Sequence, residues 1–271
     1  MAGELIANAR MYSVAPGAAA AWKRLFAWLG EVSGVPLQIV DHAFPAPLND
    51  LWRRDDLGAA FMCGWPYLRL GLDHQVLAAP VPSAAYAQGR PVYCSHFVVR
   101  EDAPFQRLED TFGHRFAFTI EDSHSGYNAP RRHLMRYRTG TGPLYREIIG
   151  PLTTPRRMLE AIVDGRTDVG PLDSFAFALL QRHEPELTAP VRVLASTDRV
   201  PIPSLMASRD APSPIVARLT ETLLDVGRRP ELASLRDELC LTGFARLDPR
   251  SYDVAETWAR EAEQAGLDKI N

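Results

Sequence analysis

The sequence predicts an α/β protein with largely parallel sheets. Short apolar stretches of β character alternate along the chain with longer stretches in which apolar residues recur at helical spacing. No internal repeat or low-complexity linker interrupts this order, and 271 residues suffice for one large domain or two lobes. Because open α/β sheets bind ligands at the carboxyl ends of their strands, the segments that follow strands are the places to look for a site.

Composition excludes several classes of function. With 46% apolar and 23% charged residues the chain is an ordinary globular protein, and its net charge of −3 argues against nucleic acid as an electrostatic partner. No apolar run approaches the roughly 20 residues that cross a bilayer. The cysteines, Cys63, Cys94 and Cys240, form no CxxC pair, and the histidines lack metal-binding spacing, so neither a metal nor a cofactor is predicted.

The first half of the chain reads as alternating strands and helices. Strands are predicted at residues 4–12, 37–40, 57–62, 75–81, 91–100 and 116–120, and helices at 18–32, 46–54 and, as a short turn, 108–113. The helix at 18–32 is the clearest of these, because Trp22, Leu25, Phe26, Leu29 and Val32 recur at helical spacing and Pro16 precedes them.

The second half continues the pattern and ends in helices. Strands are predicted at residues 144–149, 168–170, 191–195 and 205–208, and helices after Pro130 and at 154–163, 174–181, 231–241 and 252–264, with one more beginning at Ser213. The last sixty residues are expected to be helical throughout. Extended segments at 93–100 and 202–208 are candidate crossings between two lobes, namely 1–97 with 205–271, and 98–204.

One turn has the composition of an anion-binding site. It follows the strand at 116–120, reads Ser123-His124-Ser125-Gly126-Tyr127, and leads into a helix. Unpaired N–H groups at a helix start, the positive end of the helix dipole and two serine hydroxyls would all face a bound oxyanion. The plainer alternative is that a serine caps the helix. If Asn128 is the cap, the turn forms an anion nest ahead of it.

Other strand ends and helix starts offer further ligand contacts. Tyr12, Trp65 and Tyr67 follow predicted strands, where aromatic side chains would close over a ligand or else belong to the core. Thr153 and Thr154 precede Pro155 at a second helix start, where they would bind a ligand or act as a plain cap. The basic run from Arg131 to Arg138 is interpreted as a solvated helix face.

Five segments in order resemble one family, the phosphate-, phosphite- and phosphonate-binding components of ABC importers. The matching segments are residues 93–101 (YCSHFVVRE), 107–114 (RLEDTFGH), 121–130 (EDSHSGYNAP), 161–173 (AIVDGRTDVGPLD) and 244–252 (FARLDPRSY). The resemblance implies a type II periplasmic-binding-protein fold, with two α/β lobes joined by crossing strands and a ligand cleft between them. It also implies a small oxyanion as ligand, an ABC-transporter permease as partner, a monomer, and a periplasmic location.

The resemblance implies site residues as well as a fold. In addition to the turn at 123–127, it brings in Ser95 of the YCS segment and Asp173, which would accept a hydrogen bond from a protonated ligand oxygen or an amine. The chain departs from the family at Thr153 and Thr154, where the family often has a ligand-touching histidine. A second carboxylate for an amino group, expected near Ser204, is also missing, which puts an aminoalkylphosphonate ligand in doubt.

Two alternative functions remain open at this point. An enzyme on the same fold, such as a thiamine-pyrimidine-precursor synthase, would need an anchoring lysine, and the chain has only Lys23 and Lys269. A ligand sensor is the second alternative. The first residues contain no early Lys/Arg cluster and do not read as a signal peptide, so a cytoplasmic location stays open.

Overall fold

The chain folds as two compact units. A computed structural model describes residues 4–138, 142–267 and 269–270. The first unit comprises Met1–Val92 and Pro201–Ser251, and the second comprises Tyr93–Val200 and Tyr252–Asn271. The division predicted from the sequence, 1–97 with 205–271 and 98–204, differs mainly in the tail. Residues from Tyr252 onward belong to the second unit rather than the first.

The strands and helices of the described residues follow one another along the chain. The strands are β1 (Leu5–Asn8), β2 (Leu37–Ile39), β3 (Leu57–Met62), β4 (Gln75–Pro82), β5 (Val92–Tyr93), β6 (Ser95–Arg100), β7 (Arg115–Ala117), β8 (Glu147–Ile149), β9 (Gly170–Asp173), β10 (Val191–Ser196), β11 (Val200–Pro201), β12 (Ser204–Ala207) and β13 (Leu241–Ala245). The α-helices are α1 (Pro16–Ser33), α2 (Leu48–Trp52), α3 (Gly64–Leu70), α4 (Ala129–Met135), α5 (Pro155–Val163), α6 (Ser174–His183), α7 (Pro185–Thr188), α8 (Ser213–Asp225), α9 (Ala233–Glu238) and α10 (Asp253–Gln264). A π-helix spans His124–Asn128, directly before α4.

The first unit is built on a mixed sheet. Its described strands lie in the order β13-β4-β12-β3-β1-β2, with β1 parallel to both β2 and β3, and with β12 and β13 antiparallel to their neighbours. β1 lies between β2 and β3, so the chain passes from one side of β1 to the other. The carboxyl end of β1 is therefore a topological switch point, the place where open α/β sheets bind ligands.

Helix α1 covers this sheet with an apolar face. Its buried residues include Trp22, Leu25 and Phe26, and the Trp22 ring meets Phe61 of β3 edge-on at 4.9 Å. The helix ends at Gly34, whose φ of 64° lies in the left-handed region that favours glycine at this position. Each fully buried side chain of this kind contributes about 1.5–3 kcal/mol, so packing rather than helix propensity holds α1 in place.

The second unit has smaller sheets. Strands β10, β6 and β9 form an antiparallel sheet, while β7 and β8 form a parallel pair, with Phe116 of β7 bridged in parallel to Val169 just before β9. Phe97, Phe116 and Tyr145 are fully buried in its core. β5 and β11 form a separate two-stranded sheet.

Several sequence predictions need correction. The second unit's three-stranded sheet is antiparallel, not parallel, because its central strand β6 runs antiparallel to both β9 and β10. The tail is not wholly helical, since β13 pairs with β4. β1 ends at Asn8 rather than at Tyr12, because the N–H groups of Tyr12 and Ser13 both turn back to the Ala9 carbonyl.

Helix α10 packs against α4 and the π-helix, which places the tail in the second unit. The Asn128 side-chain amide donates to the Ala255 carbonyl at 2.8 Å, and Arg131 donates to the Ala259 carbonyl at 3.3 Å. Arg131 and His133 are each only 5% exposed, and the His133 ring packs against Phe97 at 5.1 Å. The interpretation of the basic run as a solvated face is therefore wrong for these two residues.

Candidate functional site

The predicted anion turn folds as a capped π-helix. Ser123 has an extended backbone, and its hydroxyl accepts a hydrogen bond from the Gly126 N–H at 2.9 Å. The N–H of Asn128 donates to the Ser123 carbonyl at 3.1 Å and closes the wider π-type turn. Ser123 is thus the cap. Asn128, expected as a cap with an anion nest ahead of it, instead continues the helical backbone and makes no capping bond.

Position 126 must be a glycine because Thr119, which the sequence pattern does not single out, lies very close to it. A Cβ atom on Gly126 would lie 1.7 Å from the Thr119 hydroxyl oxygen and 3.0 Å from the Ser123 hydroxyl oxygen. The Thr119 N–H donates to the Gly126 carbonyl at 3.4 Å, so the strand end and the helix start are fastened together. The position of Thr119 in the sequence could have indicated this contact, because Thr119 lies near the end of the apolar stretch that leads into the turn.

A polar cluster lies beside this helix start. The Ser125 hydroxyl points to the Asp173 carboxylate at 3.5 Å, and Asp173 is paired in register with Ser95 across β9 and β6. Asp173 also caps α6, because its other oxygen accepts from the N–H groups of Phe175 and Ala176 at 2.9 and 3.0 Å. Ser95 is 1% exposed, and among the described residues its hydroxyl has no hydrogen-bond partner.

An unpartnered buried hydroxyl is unfavourable by about 1–3 kcal/mol, so Ser95 is suited to bind a ligand that brings its own polar groups. At the start of the π-helix, the first N–H groups have no acceptor within the helix. Two hydroxyls and a carboxylate therefore lie at one end of the second unit's sheet, next to the N–H groups at the start of the π-helix. They belong to Ser95, Ser125 and Asp173.

The second predicted helix start is tied to the same strand end. The Thr153 N–H donates to the Thr119 carbonyl at 2.9 Å, and the Thr154 hydroxyl caps α5 by accepting from the Arg157 N–H at 3.2 Å. Thr154 thus has the plain capping role. Thr153 has a φ of 70°, which is rare for a β-branched residue and is found mainly where function or surrounding structure requires it.

His124 and Tyr127 direct their side chains into the second unit. The His124 ring stacks on Trp258 of α10 at 5.5 Å, and burial lowers the pKa of His124 to about 3, so the imidazole is neutral and adds no positive charge. The Tyr127 ring packs edge-on to Phe118, and its hydroxyl accepts from the Ile270 N–H at 3.3 Å. These two residues can therefore bind an anion through their backbone N–H groups and not through their side chains.

The aromatic residues predicted in the first unit are held by packing contacts. Tyr12 is 1% exposed and its ring meets Phe61 edge-on at 4.9 Å. It therefore belongs to the core, which was one of the two places that the sequence allowed for it. Trp65 and Tyr67 lie within α3, not in an open turn after β3. Arg69 lies over the Trp65 ring at 5.5 Å. Contact of these aromatic residues with a ligand stays a prediction.

Within residues 4–138, 142–267 and 269–270, no helix is long and apolar enough to span a membrane. The same residues contain no group of three or more histidine, cysteine, aspartate or glutamate side chains placed to bind a metal ion.

Solved structures of several solute-binding proteins share this fold. A binding-protein component of an ABC phosphonate transporter from Pseudomonas aeruginosa superposes with a TM-score of 0.81 at 14% identity, covering 98% of this chain and 89% of that one. PhnD1 from Prochlorococcus marinus, in complex with methylphosphonate, gives 0.79 at 15% identity and 96% and 98% coverage. The aliphatic sulphonate-binding protein SsuA from Escherichia coli gives 0.59 at 16% identity and 98% and 89% coverage. The α/β periplasmic-binding-protein fold predicted from the sequence is confirmed.

The sequence itself identifies the family within this fold. Residues 15–252 match the model of the family described as ABC transporter, phosphonate, periplasmic substrate-binding protein. The chain belongs to this family, as its five segments had indicated. None of the curated protein sequences compared with the chain matches it.

Proposed function

We propose that the protein captures a small phosphonate-like oxyanion at the start of the π-helix and delivers it to an ABC-transporter permease. The observation that carries this proposal is the buried cluster of Ser95, Ser125 and Asp173 beside a helix start. Hydroxyl and N–H donors suit the oxygens of a phosphonate, and hydrogen bonds to a charged group are worth about 1.5–3 kcal/mol each.

Asp173 restricts the chemistry of the ligand. Asp173 is 7% exposed, and a second unprotonated anion placed beside its carboxylate would be repelled. A ligand that keeps a proton on one oxygen, or that carries an amine, can donate to Asp173 instead. Phosphate, phosphite and methylphosphonate can hold such a proton near neutral pH, whereas sulfate cannot. We therefore expect sulfate to bind more weakly than the phosphorus oxyanions.

Calorimetric titration of the purified protein with phosphate, phosphite, methylphosphonate and sulfate tests the proposal. We expect at least one phosphorus oxyanion to bind. Ser125→Ala should weaken that binding by about 10-fold or more, because one charge-assisted hydrogen bond is lost. Ser83→Ala, at an exposed position of the first unit, is the matched control and should leave the affinity unchanged.

The proposal fails if none of the four anions binds. It also fails if Ser125→Ala binds the anions as tightly as Ser83→Ala does. Melting curves of both variants show whether a loss of binding arises from unfolding instead.

The enzyme alternative has less support than the binding-protein function. Lys23 is exposed and pairs with Asp41 at 2.9 Å, and Lys269 is exposed, whereas a Schiff-base lysine is activated by burial or by a nearby cation. A sensor would use the same ligand site. It would differ only in its partner, so the titration identifies the ligand under either reading.

A further inference from the structure

The π-helix at His124–Asn128 has a wider turn than an α-helix, and turns of this kind are rare and are found frequently at functional sites. The N–H of Asn128 donates to the Ser123 carbonyl, five residues back, at 3.1 Å. In an α-helix the same N–H would donate to the carbonyl four residues back, that of His124. Because the α-type turn is the usual one, contacts outside this backbone have to favour the wider turn.

The residues of the π-helix fall into two groups according to what they contact. Ser125 and Gly126 lie on the side of the polar cluster and of the strand end that precedes the turn. The side chains of His124, Tyr127 and Asn128 instead contact the C-terminal segment that contains α10. The first group can meet a ligand, and the second group fastens the turn to the rest of the second unit.

The Asn128 side chain has the most specific of these contacts. Its Nδ2 donates to the Ala255 carbonyl of α10 at 2.8 Å and lies 3.2 Å from Nδ1 of His124. Its Oδ1 lies 3.5 Å from Nη2 of Arg131. A carbonyl oxygen can only accept and a guanidinium can only donate, so these two partners fix the orientation of the amide. Its second proton therefore goes to the His124 ring, whose Nδ1 is the acceptor.

One side chain thereby connects α10 to both ends of the π-helix. Asn128 is 1% exposed, so water cannot readily replace the hydrogen bonds of its amide. If the turn changed to the α type, the residues before Asn128 would rotate by about 100° relative to those after it, which is one residue's share of an α-helical turn. Ser125 would then no longer face Asp173.

We propose that Asn128 is a positioning residue for the oxyanion site. Anchored to Ala255, it holds the helix start in the π-type turn that directs Ser125 to the polar cluster. This inference rests on the proposed function, because Asn128 acts on the ligand only through the residues of the turn. The anchor lies in α10, which follows residues 15–252 that match the family model, so the matched region does not by itself contain the support of its own site.

Calorimetric titration of Asn128→Ala with phosphate, phosphite and methylphosphonate tests this inference. Alanine has no side-chain donor, so the bonds to Ala255 and His124 are both lost and no charge is added. We expect the affinity for whichever oxyanion the unmodified protein binds to fall by about 10-fold or more, at a temperature at which melting curves show the variant to be folded. A purely structural role would lower the melting temperature and leave the affinity of the folded protein unchanged.

Glu261→Gln is the matched control. Glu261 belongs to α10 and pairs with Arg132 of α4 at 2.9 Å, so this change weakens the contact between the two helices without touching the π-helix. It should leave the affinity unchanged. Asn128→Ser keeps a neutral donor of shorter reach and should retain part of the affinity, and it replaces Asn128→Ala if the latter does not fold.

Hydrogen exchange of the ligand-free variants separates this inference from the proposed function. We expect the backbone amides at 124–129 to exchange at least about 10-fold faster in Asn128→Ala than in Glu261→Gln. If the unmodified protein binds an oxyanion and Asn128→Ala binds it as tightly, the inference is overturned and the proposed function stands. If no oxyanion binds, the proposed function is overturned. Equal exchange in the two variants would then overturn the hold of Asn128 on the turn as well.

Discussion

The two units each contain a strand that leads into a helix, and the two connections are stabilised by different means. In the first unit, β1 leads to α1, an 18-residue helix whose cap position is Ala15 and which has no side-chain capping bond. In the second unit, β7 leads to a short π-helix that Ser123 caps. One connection relies on an apolar helix face, and the other on a few hydrogen bonds.

This difference supports the second connection as the proposed binding site. Helix α1 buries Trp22, Leu25 and Phe26 and needs no polar contact at its start. The π-helix has hydroxyl groups around it and fits together so closely that a single added methyl group would clash with Thr119. A polar, closely fitted connection is also the more sensitive to single substitutions and to protonation.

The largest expected effect of this difference is acid sensitivity of the second unit. Burial lowers the pKa of His124 to about 3 and that of His133 to about 4, so both are neutral in the folded chain. In the unfolded chain a histidine takes up a proton near pH 6.5. Stability is therefore complete above about pH 6.5 and decreases as the pH falls towards 4, by about 2 kcal/mol per histidine at pH 5.

Urea unfolding at pH 7.5 and pH 5.0 measures this loss. His133→Phe is the informative variant, because His133 lies beside Phe97 at 5.1 Å and Tyr137 at 6.0 Å, an environment that suits an aromatic ring. We expect the difference in unfolding free energy between the two pH values to shrink by about 2 kcal/mol in this variant. An unchanged difference would show that His133 does not contribute to acid sensitivity.

A smaller effect is expected from Gly126→Ala. The added methyl group would meet the Thr119 hydroxyl at 1.7 Å, so the turn must shift, at a cost of about 1–3 kcal/mol in stability. Oxyanion binding should fall by at least about 10-fold, because the helix-start donors move with the turn. Melting curves and calorimetric titration measure the two effects.

Gly142→Ala provides the matched control in the same unit, since a Cβ atom there meets nothing within 4 Å. It should change neither stability nor binding. Equal behaviour of the two alanine variants would contradict the tight fit inferred for Gly126.

Local pattern was enough to predict the turn at 123–127, because serine, glycine and a strand before them lie within ten residues of one another. The pairing of Ser95 with Asp173 could not be deduced in this way, since it depends on the register of two strands far apart in the chain. The same holds for β13, whose Phe244 lies opposite Pro80 of β4. The five-residue stretch at 241–245 has no strong β pattern of its own.

Other errors came from packing partners that the sequence does not reveal. An apolar face on α10 predicts burial but not which unit buries it. The sequence alone therefore groups the tail with residues 1–97, whereas residues from Tyr252 onward lie in the second unit. The same helix covers Arg131, whose guanidinium lies over the Tyr127 ring at 5.8 Å. Tyr12 was expected at the end of a strand. The hydrogen bonds to Ala9 end β1 earlier and place its ring in the core.

The smallest expected effect concerns the two helix caps. Ser123→Ala removes the acceptor for the Gly126 N–H and should cost about 1 kcal/mol, or roughly 2–4 °C in melting temperature. The reverse change, Ala15→Ser, adds a hydroxyl at a cap whose φ of −144° and ψ of 156° already suit one. Its gain should be smaller, because Ala15 is 4% exposed and the new group must fit beside its neighbours. If Ser123→Ala has no effect and Ala15→Ser stabilises by several degrees, the contrast between an apolar and a polar connection is wrong. The apolar connection would then depend on its cap more than the polar connection does.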